Sequence, residues 1–478
     1  MFSRKNSAWA IENFLTIENN HLMIDRVAAT ELTNQFGTPL FVFSEKRILH
    51  NINRLKRAQD ALGLPLKICY AAKANSNMAI LRVVKDAGAD VEVNSGGELF
   101  KALKIGFAPE QIIFNGTSKT VEEHSEAINA GIYAINADSY FEIEQIEFVA
   151  RKLGKRANVS LRLVPEIETD TMHGLQTAQL TSKFGMLANE VVAACERWKQ
   201  SDYLNLCGIH LHLGSQTPNA EPFGEAFVKL FEQAIEIRSK TGLRLKHLNL
   251  GGGFPTNYLR DKTNAANLPP ERQTLFAADL EPAEVLGKAI DLVRSTAGQT
   301  QIAELLEDLT ILLEPGRSVI ADAGLVLTTV RNFKTRPIIH GDKDGLVKSA
   351  DNWLLIDAGY NIMLSMNNYK WYYHLISAAR AADEHATRYK LAGPLCDGGD
   401  VYFDIEGENR LPDYRLLPEN VAPGEVLALL NCGAYSLAQM FPYNGRPLPA
   451  AVLIRETGAV ELIRRPDDYE SLIASDVW

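Results

Sequence analysis

The middle of this chain alternates short apolar runs with amphipathic stretches, and this alternation limits its fold more than any other feature. The apolar runs are Lys67–Ala71, Ala89–Asn94, Gln111–Phe114, Tyr133–Asn136, Asn158–Leu163, Cys207–Leu213, Lys246–Leu250 and Leu309–Glu314. The stretches between them carry helical patterns, for example at Met78–Ala87, Val121–Ala130, Tyr140–Leu153, Glu190–Gln200 and Pro222–Ser239. Eight strands that alternate with helices over about 250 residues predict an α/β fold, a (β/α)8 barrel.

The two ends of the chain have a different pattern, with β-like runs separated by Gly, Pro and Asp. These runs are Thr38–Phe43, Leu325–Phe333, Trp353–Ala358, Val426–Leu430 and Ala451–Arg455. The 478 residues exceed the roughly 250–300 at which one hydrophobic core stops growing. We therefore expect two domains, a barrel over 45–320 and a mostly β domain built from 1–44 and 321–478. Residues 259–282 form a polar insertion before the last barrel helix.

The composition argues against a nucleic-acid-binding, disulfide-rich or membrane-spanning protein. The net charge of -10 and the pI of about 5.6 give no basic surface for nucleic acid or anionic lipid. Five scattered cysteines without a CxxC pair disfavour a disulfide framework or a zinc site and suit a reducing compartment. No apolar run is long enough to span a membrane, and residues 1–18 lack a signal-peptide pattern. We therefore expect a cytoplasmic protein without a metal.

Polar or glycine-rich groups follow nearly every predicted barrel strand. Lys73 follows the first strand, Glu92 lies near the end of the second, and Arg162 near the end of the fifth. The last three strands lead into His212-Leu213-Gly214-Ser215, Gly251-Gly252-Gly253 and Glu314-Pro315-Gly316-Arg317. Because (β/α)8 enzymes place their active site at the carboxyl ends of the strands, these groups predict an active site there.

Each of these groups also has a structural explanation. A single lysine after a strand is usually a solvated loop residue, and His212 alone could be a packed core histidine. Three adjacent glycines after an apolar strand, however, suit a close approach of phosphate to backbone N–H groups. Glu314 follows an apolar strand, where a buried carboxylate needs a partner such as a protonated ring nitrogen. The set as a whole therefore favours function.

The same residues belong to motifs that resemble a known family. The motifs are Tyr70-Ala71-Ala72-Lys73-Ala74-Asn75, Ser95-Gly96-Gly97-Glu98, Ser182-Lys183-Phe184-Gly185, His212–Ser215, Gly251–Gly253, Glu314–Arg317, Gly393-Pro394-Leu395-Cys396-Asp397 and Gly433-Ala434-Tyr435. In this order they resemble the fold-type III decarboxylases that depend on pyridoxal 5'-phosphate (PLP), which include the diaminopimelate and ornithine decarboxylases. The resemblance covers almost the whole chain and implies the alanine racemase-like barrel with a β domain.

The resemblance implies a role for each motif. Lys73 would hold PLP covalently, Glu314 would pair with its ring nitrogen, and His212 would stack on the ring. The residues implied to bind its phosphate or the adjacent substrate carboxylate are Ser215, Gly251, Gly252, Gly253, Gly316, Arg317 and Tyr435. Glu92 and Arg162 match positions that contact the cofactor. The family also implies a homodimer with active sites at the interface, where Cys396 comes from the second subunit and donates a proton.

Departures from the family pattern bear on the substrate. Diaminopimelate decarboxylases carry an Arg-Pro-x-x-Tyr-like segment after the strand that contains Asp357, and their Arg holds the distal carboxylate. This chain has no Arg there; aromatic residues fill the region, namely Tyr369, Trp371, Tyr372 and Tyr373. Asp357, Asp397 and Asp400 match positions that bind the distal amine in ornithine decarboxylases. The segment Cys396–Asp400 and the C-terminal region Leu462–Glu470 resemble the bacterial D-ornithine/D-lysine decarboxylase subgroup. Ornithine or lysine is therefore the expected small-molecule substrate.

Several alternatives stay open. The chain could decarboxylate meso-diaminopimelate, or a modified amino acid in siderophore or antibiotic synthesis. A racemase of this fold would pair the ring nitrogen with Arg, so Glu314 argues against racemization. A non-catalytic regulator would be expected to lose Lys73 or Cys396, and both are present. No single residue decides which enantiomer reacts.

Overall fold

The computed structural model describes residues 9–179, 181–261, 268–296, 305–306, 309–339 and 347–478. Residues 1–8 of the predicted β domain and 262–267 of the predicted insertion lie outside these ranges. The chain divides into two compact units. The β unit comprises Met1–Ile48, Asn257–Ala277 and Ile320–Trp478, and the barrel unit comprises Leu49–Thr256 and Ala278–Val319.

Residues 9–44, which are described in the N-terminal part of the β unit, contain four strands and one helix. Strands β1 (Leu15–Glu18), β2 (His21–Ile24) and β3 (Val27–Ala28) form a small antiparallel sheet. Helix α1 (Ala29–Phe36) follows, and Gly37 ends it with a φ of 78°. Strand β4 (Leu40–Ser44) is buried at every position, as expected for a strand inside a larger sheet.

The barrel unit contains a closed ring of eight strands in the order β10-β11-β12-β5-β6-β7-β8-β9, all parallel. The strands are β5 (Leu66–Ala71), β6 (Asp90–Val93), β7 (Ile112–Phe114), β8 (Ala134–Ala137), β9 (Ala157–Arg162), β10 (Leu204–His210), β11 (His247–Asn249) and β12 (Thr310–Leu313). All eight predicted strands are present, and the predicted fold class is confirmed. Strand β10 begins earlier than its apolar run, because Asn205 at its start is accommodated by a hydrogen bond to Asn158 (2.8 Å).

Helices alternate with the barrel strands along the chain. They are α2 (Glu45–Lys56), α3 (Ala58–Leu62), α4 (Met78–Asp86), α5 (Gly96–Ile105), α6 (Val121–Ala130), α7 (Tyr140–Leu153), α8 (Ala188–Trp198), α9 (Glu221–Thr241), α10 (Pro270–Ala277) and α11 (Pro282–Thr296). Asn77, Ser95, Thr120 and Ser139 cap successive helices, each accepting a hydrogen bond from a first-turn backbone N–H. These side chains satisfy donors that a helix leaves unpaired and so fix where each helix begins. Helix α10 lies in the β unit.

A nine-stranded sheet dominates the β unit, with a main path β17-β16-β14-β13-β4-β19-β20 and with β18 joining β13 to β15. The remaining strands are β13 (Gly324–Ile339), β14 (Val347–Ile356), β15 (Leu375–Ser377), β16 (Thr387–Ala392), β17 (Arg415–Leu417), β18 (Val426–Leu429), β19 (Ala450–Ile454) and β20 (Val460–Arg464). Short helices occupy Arg317–Ile320, Leu364–Asn368 and Tyr469–Ile473. Strand β4, from the start of the chain, pairs with both β13 and β19. No helix in the described ranges is long and apolar enough to cross a membrane.

Candidate active site

The carboxyl ends of the barrel strands bring a buried polar cluster together. Arg162, His210 and Asn249 stand opposite one another on the neighbouring strands β9, β10 and β11. Lys73 lies in the short 3-10 helix Ala72–Ala74 directly after β5, and Glu314 directly follows β12. The strand-end positions that the sequence singled out therefore meet at one edge of the barrel, as its topology requires.

The Glu314 carboxylate accepts hydrogen bonds from several strand ends. Asn249 Nδ2 donates to its Oε1 at 2.7 Å, and Asn115 Nδ2 donates to its Oε2 at 2.8 Å. Asn136 Nδ2 makes a longer contact of 3.5 Å with Oε1, and His210 Nε2 lies 3.2 Å from Oε2. Burial raises the pKa of Glu314, but His210 and the amide donors outweigh it and bring the pKa to about 2. Glu314 is therefore ionised at neutral pH.

A second buried carboxylate, Glu92, adjoins the first. Its Oε1 accepts from the same Asn115 amide nitrogen at 2.8 Å, whereas its Oε2 has no hydrogen-bond partner among the described residues. Burial raises the pKa of Glu92 from 4.5 to about 7, with Lys73 opposing this shift. The pKa values of these two neighbouring carboxyl groups are thus moved in opposite directions, an arrangement typical of functional sites.

His212 has a defined tautomer in this cluster. Its Nδ1 accepts a hydrogen bond from the Gly252 N–H at 3.0 Å, so the neutral ring carries its proton on Nε2. Burial, reinforced by Lys73 and Arg162, holds the pKa of His212 well below its usual range. A neutral, fixed imidazole is available to lie flat against an aromatic ring.

The glycines after β11 are required by close backbone contacts. A Cβ atom on Gly252 would lie 2.3 Å from the Glu314 carbonyl oxygen, and one on Gly253 would lie 2.6 Å from that of Gly214. Gly251 and Gly253 also have φ angles of 69° and 108°, in the region that side chains disfavour. Any larger residue would displace this loop.

Two of the predicted anion ligands are already in contact. Arg317 Nε donates to Ser215 Oγ at 3.0 Å, and Arg317 is only 8% exposed. Gly316 precedes Arg317 and accepts a hydrogen bond from Val319 N at 3.1 Å. Arg162 lies 4.1 Å from the centre of the Phe184 ring, within the Ser182–Gly185 motif. The Ser215 hydroxyl and the buried Arg317 guanidinium can together donate hydrogen bonds to a phosphate or a carboxylate.

The β unit contains the other predicted residues, and it uses Asp357 and Asp400 in local structure. The Asp357 carboxylate accepts from Thr38, Thr328, the Thr329 N–H and Arg331. Asp400 accepts from the backbone N–H groups of Tyr360 and Leu395. The substrate contact that the sequence predicts for these two acids stays a prediction.

Asp397 differs from these acids because it is exposed. It accepts from the Tyr360 hydroxyl at 2.8 Å, the Gly399 N–H at 2.8 Å and, more weakly, the Tyr443 hydroxyl at 3.5 Å. Those hydrogen bonds, led by that of Gly399, lower the pKa of Asp397. Cys396 beside it is exposed, whereas the other four cysteines are buried. Tyr435 adopts a φ of 56°, an uncommon conformation for a residue with a side chain.

Three of the aromatic residues that follow the Asp357 strand in the sequence are core residues of the β unit. Trp371, Tyr372 and Tyr373 are at most 2% exposed and pack around Tyr258 and Phe276. The sequence did not single out four cluster residues as site residues with roles: Asn115, Asn136, His210 and Asn249. Each is a polar side chain within or directly after an otherwise apolar strand, and that signal could have identified them.

Comparisons with known proteins agree with this geometry. Residues 49–321 match the family model of the pyridoxal-dependent decarboxylases, pyridoxal binding domain. The chain is 33% identical over 467 residues, 96% of each protein, to diaminopimelate decarboxylase from Methanocaldococcus jannaschii. The corresponding protein from Aquifex aeolicus is 32% identical with the same coverage. The chain belongs to the pyridoxal-dependent decarboxylases.

Solved structures extend this similarity to the whole fold. Diaminopimelate decarboxylase from M. jannaschii in complex with L-lysine superposes with a TM-score of 0.82 at 32% identity and covers 98% of each chain. A lysine/ornithine decarboxylase from Vibrio vulnificus in complex with putrescine superposes with a TM-score of 0.67 at 21% identity, which is a likeness of fold alone. The family match extends to activity: this chain is a PLP-dependent enzyme that decarboxylates a basic amino acid.

The residues at the barrel edge fit PLP. Buried polar atoms without partners among the described residues, Glu92 Oε2 and His210 Nδ1, mark room for further hydrogen bonds. An ionised Glu314 suits a protonated ring nitrogen, and the Gly251–Gly253 loop with Ser215 suits a phosphate. PLP supplies the electron sink for the bond to the departing carboxylate, and the protein supplies binding and orientation.

Proposed function

We propose that this chain is a meso-diaminopimelate decarboxylase. The observation that carries the proposal is its similarity along almost the whole length, at 33% and 32% identity, to curated diaminopimelate decarboxylases. The buried cluster of the barrel unit supports the same chemistry. It provides an ionised carboxylate, a neutral histidine and a lysine at the same edge of the barrel.

The barrel residues have distinct tasks in this proposal. Lys73 would be the residue that holds the cofactor covalently. Glu314, which is ionised, would favour a protonated ring nitrogen, and His212 would support the ring. Ser215, Arg317 and the Gly251–Gly253 loop bind phosphate. The residues proposed for further cofactor or substrate contacts are Glu92, Arg162, Gly316 and Tyr435.

Asp397 is the proposed contact for the distal ammonium group of the substrate. Its carboxylate is exposed, ionised and oriented by Tyr360 and Tyr443. The rings of Tyr360, Phe441 and Tyr443 lie 6.0–6.3 Å from one another. Aromatic faces beside a carboxylate favour a cation over a neutral or anionic group.

The proposal includes a homodimer in which a second copy contributes Cys396 and Asp397 to the site. The exposure of Cys396, in a chain whose other cysteines are buried, supports an interface role. Its N–H donates to Asn444 Oδ1 at 2.7 Å, which restrains the backbone at this position. Cys396 Sγ would deliver the proton that replaces the carboxylate. Sedimentation equilibrium of the full chain tests the dimer.

Ornithine or lysine, including their D-enantiomers, is a second candidate substrate. The specific observation in its favour is that residues 357–369 contain no Arg, Lys or His. The distal carboxylate of diaminopimelate would therefore meet no cation from this segment, whereas the terminal ammonium of ornithine or lysine needs none. Asp357 and Asp400 would then support Asp397 in an acidic environment for that ammonium.

A substrate panel distinguishes the candidates. The purified PLP-loaded enzyme is given meso-diaminopimelate and both enantiomers of ornithine, lysine and arginine, and released carbon dioxide is measured. The highest kcat/KM for meso-diaminopimelate supports the first candidate. A higher value for either enantiomer of ornithine or lysine replaces it with the second. If the enzyme decarboxylates none of these compounds, both candidate functions are wrong.

A further inference from the structure

The segment Asn257–Ala277 interrupts the barrel sequence but packs with the β unit. Its two ends meet each other, since the N–H groups of Tyr258 and Leu259 both donate to the Phe276 carbonyl, at 2.7 and 3.1 Å. Helix α10 therefore closes back onto the start of the segment. The described part of this insertion is a compact element with its own hydrogen bonds.

This element forms an aromatic contact with the stretch that follows Leu364–Asn368. The Tyr258 ring lies 5.1 Å from Trp371 and 6.0 Å from Tyr373, both edge to face. Phe276 lies 5.2 Å from Trp371 in the same geometry. Edge-to-face pairs of buried rings stabilise one relative orientation beyond the area they bury. The insertion thus fixes residues 371–373, which lie at the C-terminal end of the stretch that follows Asp357.

Arg272 in α10 adds a polar anchor at the same place. It is 8% exposed, and its Nη2 donates to the carbonyl oxygens of Tyr369 and Lys370 at 3.2 and 3.1 Å. Its Nε donates to the carbonyl of Arg410 at 3.2 Å. Lys370 has a φ of 48°, which is disfavoured for a residue with a Cβ and needs such support.

Hydrogen bonds continue from this anchor toward Asp397. The Ser365 carbonyl accepts from the N–H groups of Tyr369 and Trp371, at 3.0 and 3.1 Å. Met363 in turn donates to the Tyr360 carbonyl at 3.1 Å, and the Tyr360 hydroxyl holds Asp397. A continuous set of backbone contacts therefore joins the residues that Arg272 binds to the residue that orients Asp397.

The insertion also forms hydrogen bonds with Asn431, in a second turn of the β unit. Arg260 Nε and Nη2 both donate to Asn431 Oδ1, at 2.9 and 2.5 Å. Asn431 Nδ2 donates to the Asn257 carbonyl at 2.6 Å. Asn431 itself has a φ of 62°, and Tyr435 shortly after it has a φ of 56°. The insertion therefore holds two stretches that both contain residues in the left-handed region.

We propose that the described parts of this insertion, residues 257–261 and 268–277, form an intramolecular brace for the part of the β unit that contacts the substrate, with Arg272 as its positioning residue. The brace holds residues 359–374 in the single conformation that presents Tyr360 to Asp397, and it holds the turn that leads to Tyr435. The proposal rests on the proposed function, because that function gives Asp397 its role in binding the distal ammonium. Arg272 itself touches neither cofactor nor substrate.

The test compares Arg272→Met and Arg272→Lys with the wild-type chain and with Arg294→Met as a matched control. Arg294 is a half-exposed arginine in α11 that pairs with Asp291, so its loss should leave the brace intact. Hydrogen exchange of the full apo chain should become about tenfold faster in residues 359–374 of Arg272→Met. Arg272→Lys, which keeps a donor, should show a smaller change, and peptides of the barrel unit should keep wild-type rates.

Steady-state kinetics give the second readout. In Arg272→Met, KM for the preferred diamino acid should rise about tenfold while kcat changes less than threefold and the visible absorbance of bound PLP is retained. Unchanged exchange in residues 359–374, equal acceleration throughout the β unit, or an unchanged KM would each overturn the proposal. If Arg272→Met does not fold, Arg272→Lys and Phe276→Leu carry the same comparison.

Hydrogen exchange and steady-state kinetics test the brace and the proposed function separately. A wild-type chain that decarboxylates no diamino acid refutes the proposed function, and the exchange experiment still decides whether Arg272 holds residues 359–374. A wild-type chain that is active, with variants that show wild-type exchange, refutes the brace alone.

Discussion

Glu92 and Glu314 share one amide group. Asn115 Nδ2 donates to both carboxylates, at 2.8 Å in each case, so each of its two hydrogens is committed to a different acid. The pKa of Glu92 is raised by burial to about 7, whereas that of Glu314 is brought to about 2 despite its burial. One neutral side chain therefore lies between an acid that holds a proton near neutral pH and one that does not.

Replacing this amide should weaken cofactor binding. Asn115→Leu removes a donor from each carboxylate, and an unsatisfied buried acceptor costs about 1–3 kcal/mol. We expect the dissociation constant for PLP, measured by absorbance titration of the apo chain, to rise roughly tenfold or more. Asn158→Leu is the matched control, because Asn158 lies near the start of strand β9 whereas Asn115 follows the end of strand β7. Equal affinities of the two variants would contradict the role of Asn115.

The raised pKa of Glu92 predicts a specific pH dependence of stability. The folded apo chain binds the Glu92 carboxyl proton more tightly than the unfolded chain does. The stabilisation that results is therefore present below pH 4.5 and is lost as the pH rises through 7. A shift from 4.5 to about 7 corresponds to roughly 3 kcal/mol. Urea unfolding of the apo chain at pH 5 and pH 8 measures the difference in unfolding free energy between these two pH values.

Glu92→Gln isolates this contribution from other titrating groups. The buried His124 and His247 have pKa values lowered by burial to about 4 and about 3, so they stabilise the folded chain as the pH rises through 6.5. The difference between wild type and Glu92→Gln cancels them. The unfolding free energy of wild type relative to the variant should fall between pH 5 and pH 8. A constant difference would show that Glu92 does not titrate in this range.

The glycine loop should not accept a side chain. In Gly252→Ala the new Cβ would lie 2.3 Å from the Glu314 carbonyl oxygen, so backbone must move at the point where Glu314 is held. We expect a loss of about 2 kcal/mol or more in unfolding free energy together with loss of PLP binding. Gly287→Ala in helix α11, whose Cβ would meet Ala61 at an ordinary 3.5 Å, should be neutral or slightly stabilising. Similar behaviour of both variants would exclude the steric explanation.

Asp397 should affect substrate binding more than catalysis. Asp397→Asn removes the charge proposed to meet the distal ammonium while the side-chain shape is kept. A hydrogen bond to a charged group contributes about 1.5–3 kcal/mol, so KM for the preferred diamino acid should rise about 10- to 100-fold with a smaller change in kcat. Asp413→Asn, another exposed acid of the β unit, should keep the wild-type KM. An effect confined to kcat would argue against ammonium binding.

Much of the barrel could be predicted from the sequence because its strands are short apolar runs with a regular spacing. All eight runs became strands, and polar residues at their ends met because a parallel barrel brings its carboxyl ends together. The amide ligands of Glu314 were not predicted as such. Asn136 and Asn249 lie inside strands, where only the closed ring determines that their side chains point at the same carboxylate.

The β unit was harder to predict because its contacts join distant parts of the sequence. Asp357 is an exposed-looking acid after a strand, but Thr38 and Arg331 surround it. Trp371 and Tyr372 follow the polar stretch Asn367–Lys370 in the sequence, and Phe276, about a hundred residues earlier, packs against both rings. A partner so distant along the chain leaves no local sequence pattern, so the burial of these two rings could not be predicted.

The central position of β4 in the nine-stranded sheet has a consequence for synthesis on the ribosome. Its neighbours are β13 and β19, so this strand is made before the barrel strands and meets its last partner only after residue 454 has been made. The barrel strands, which come between, can pair with one another in the meantime. Until then β4 exposes the unpaired edges of an apolar strand, and we expect nascent chains that stop before β19 to be retained by chaperones.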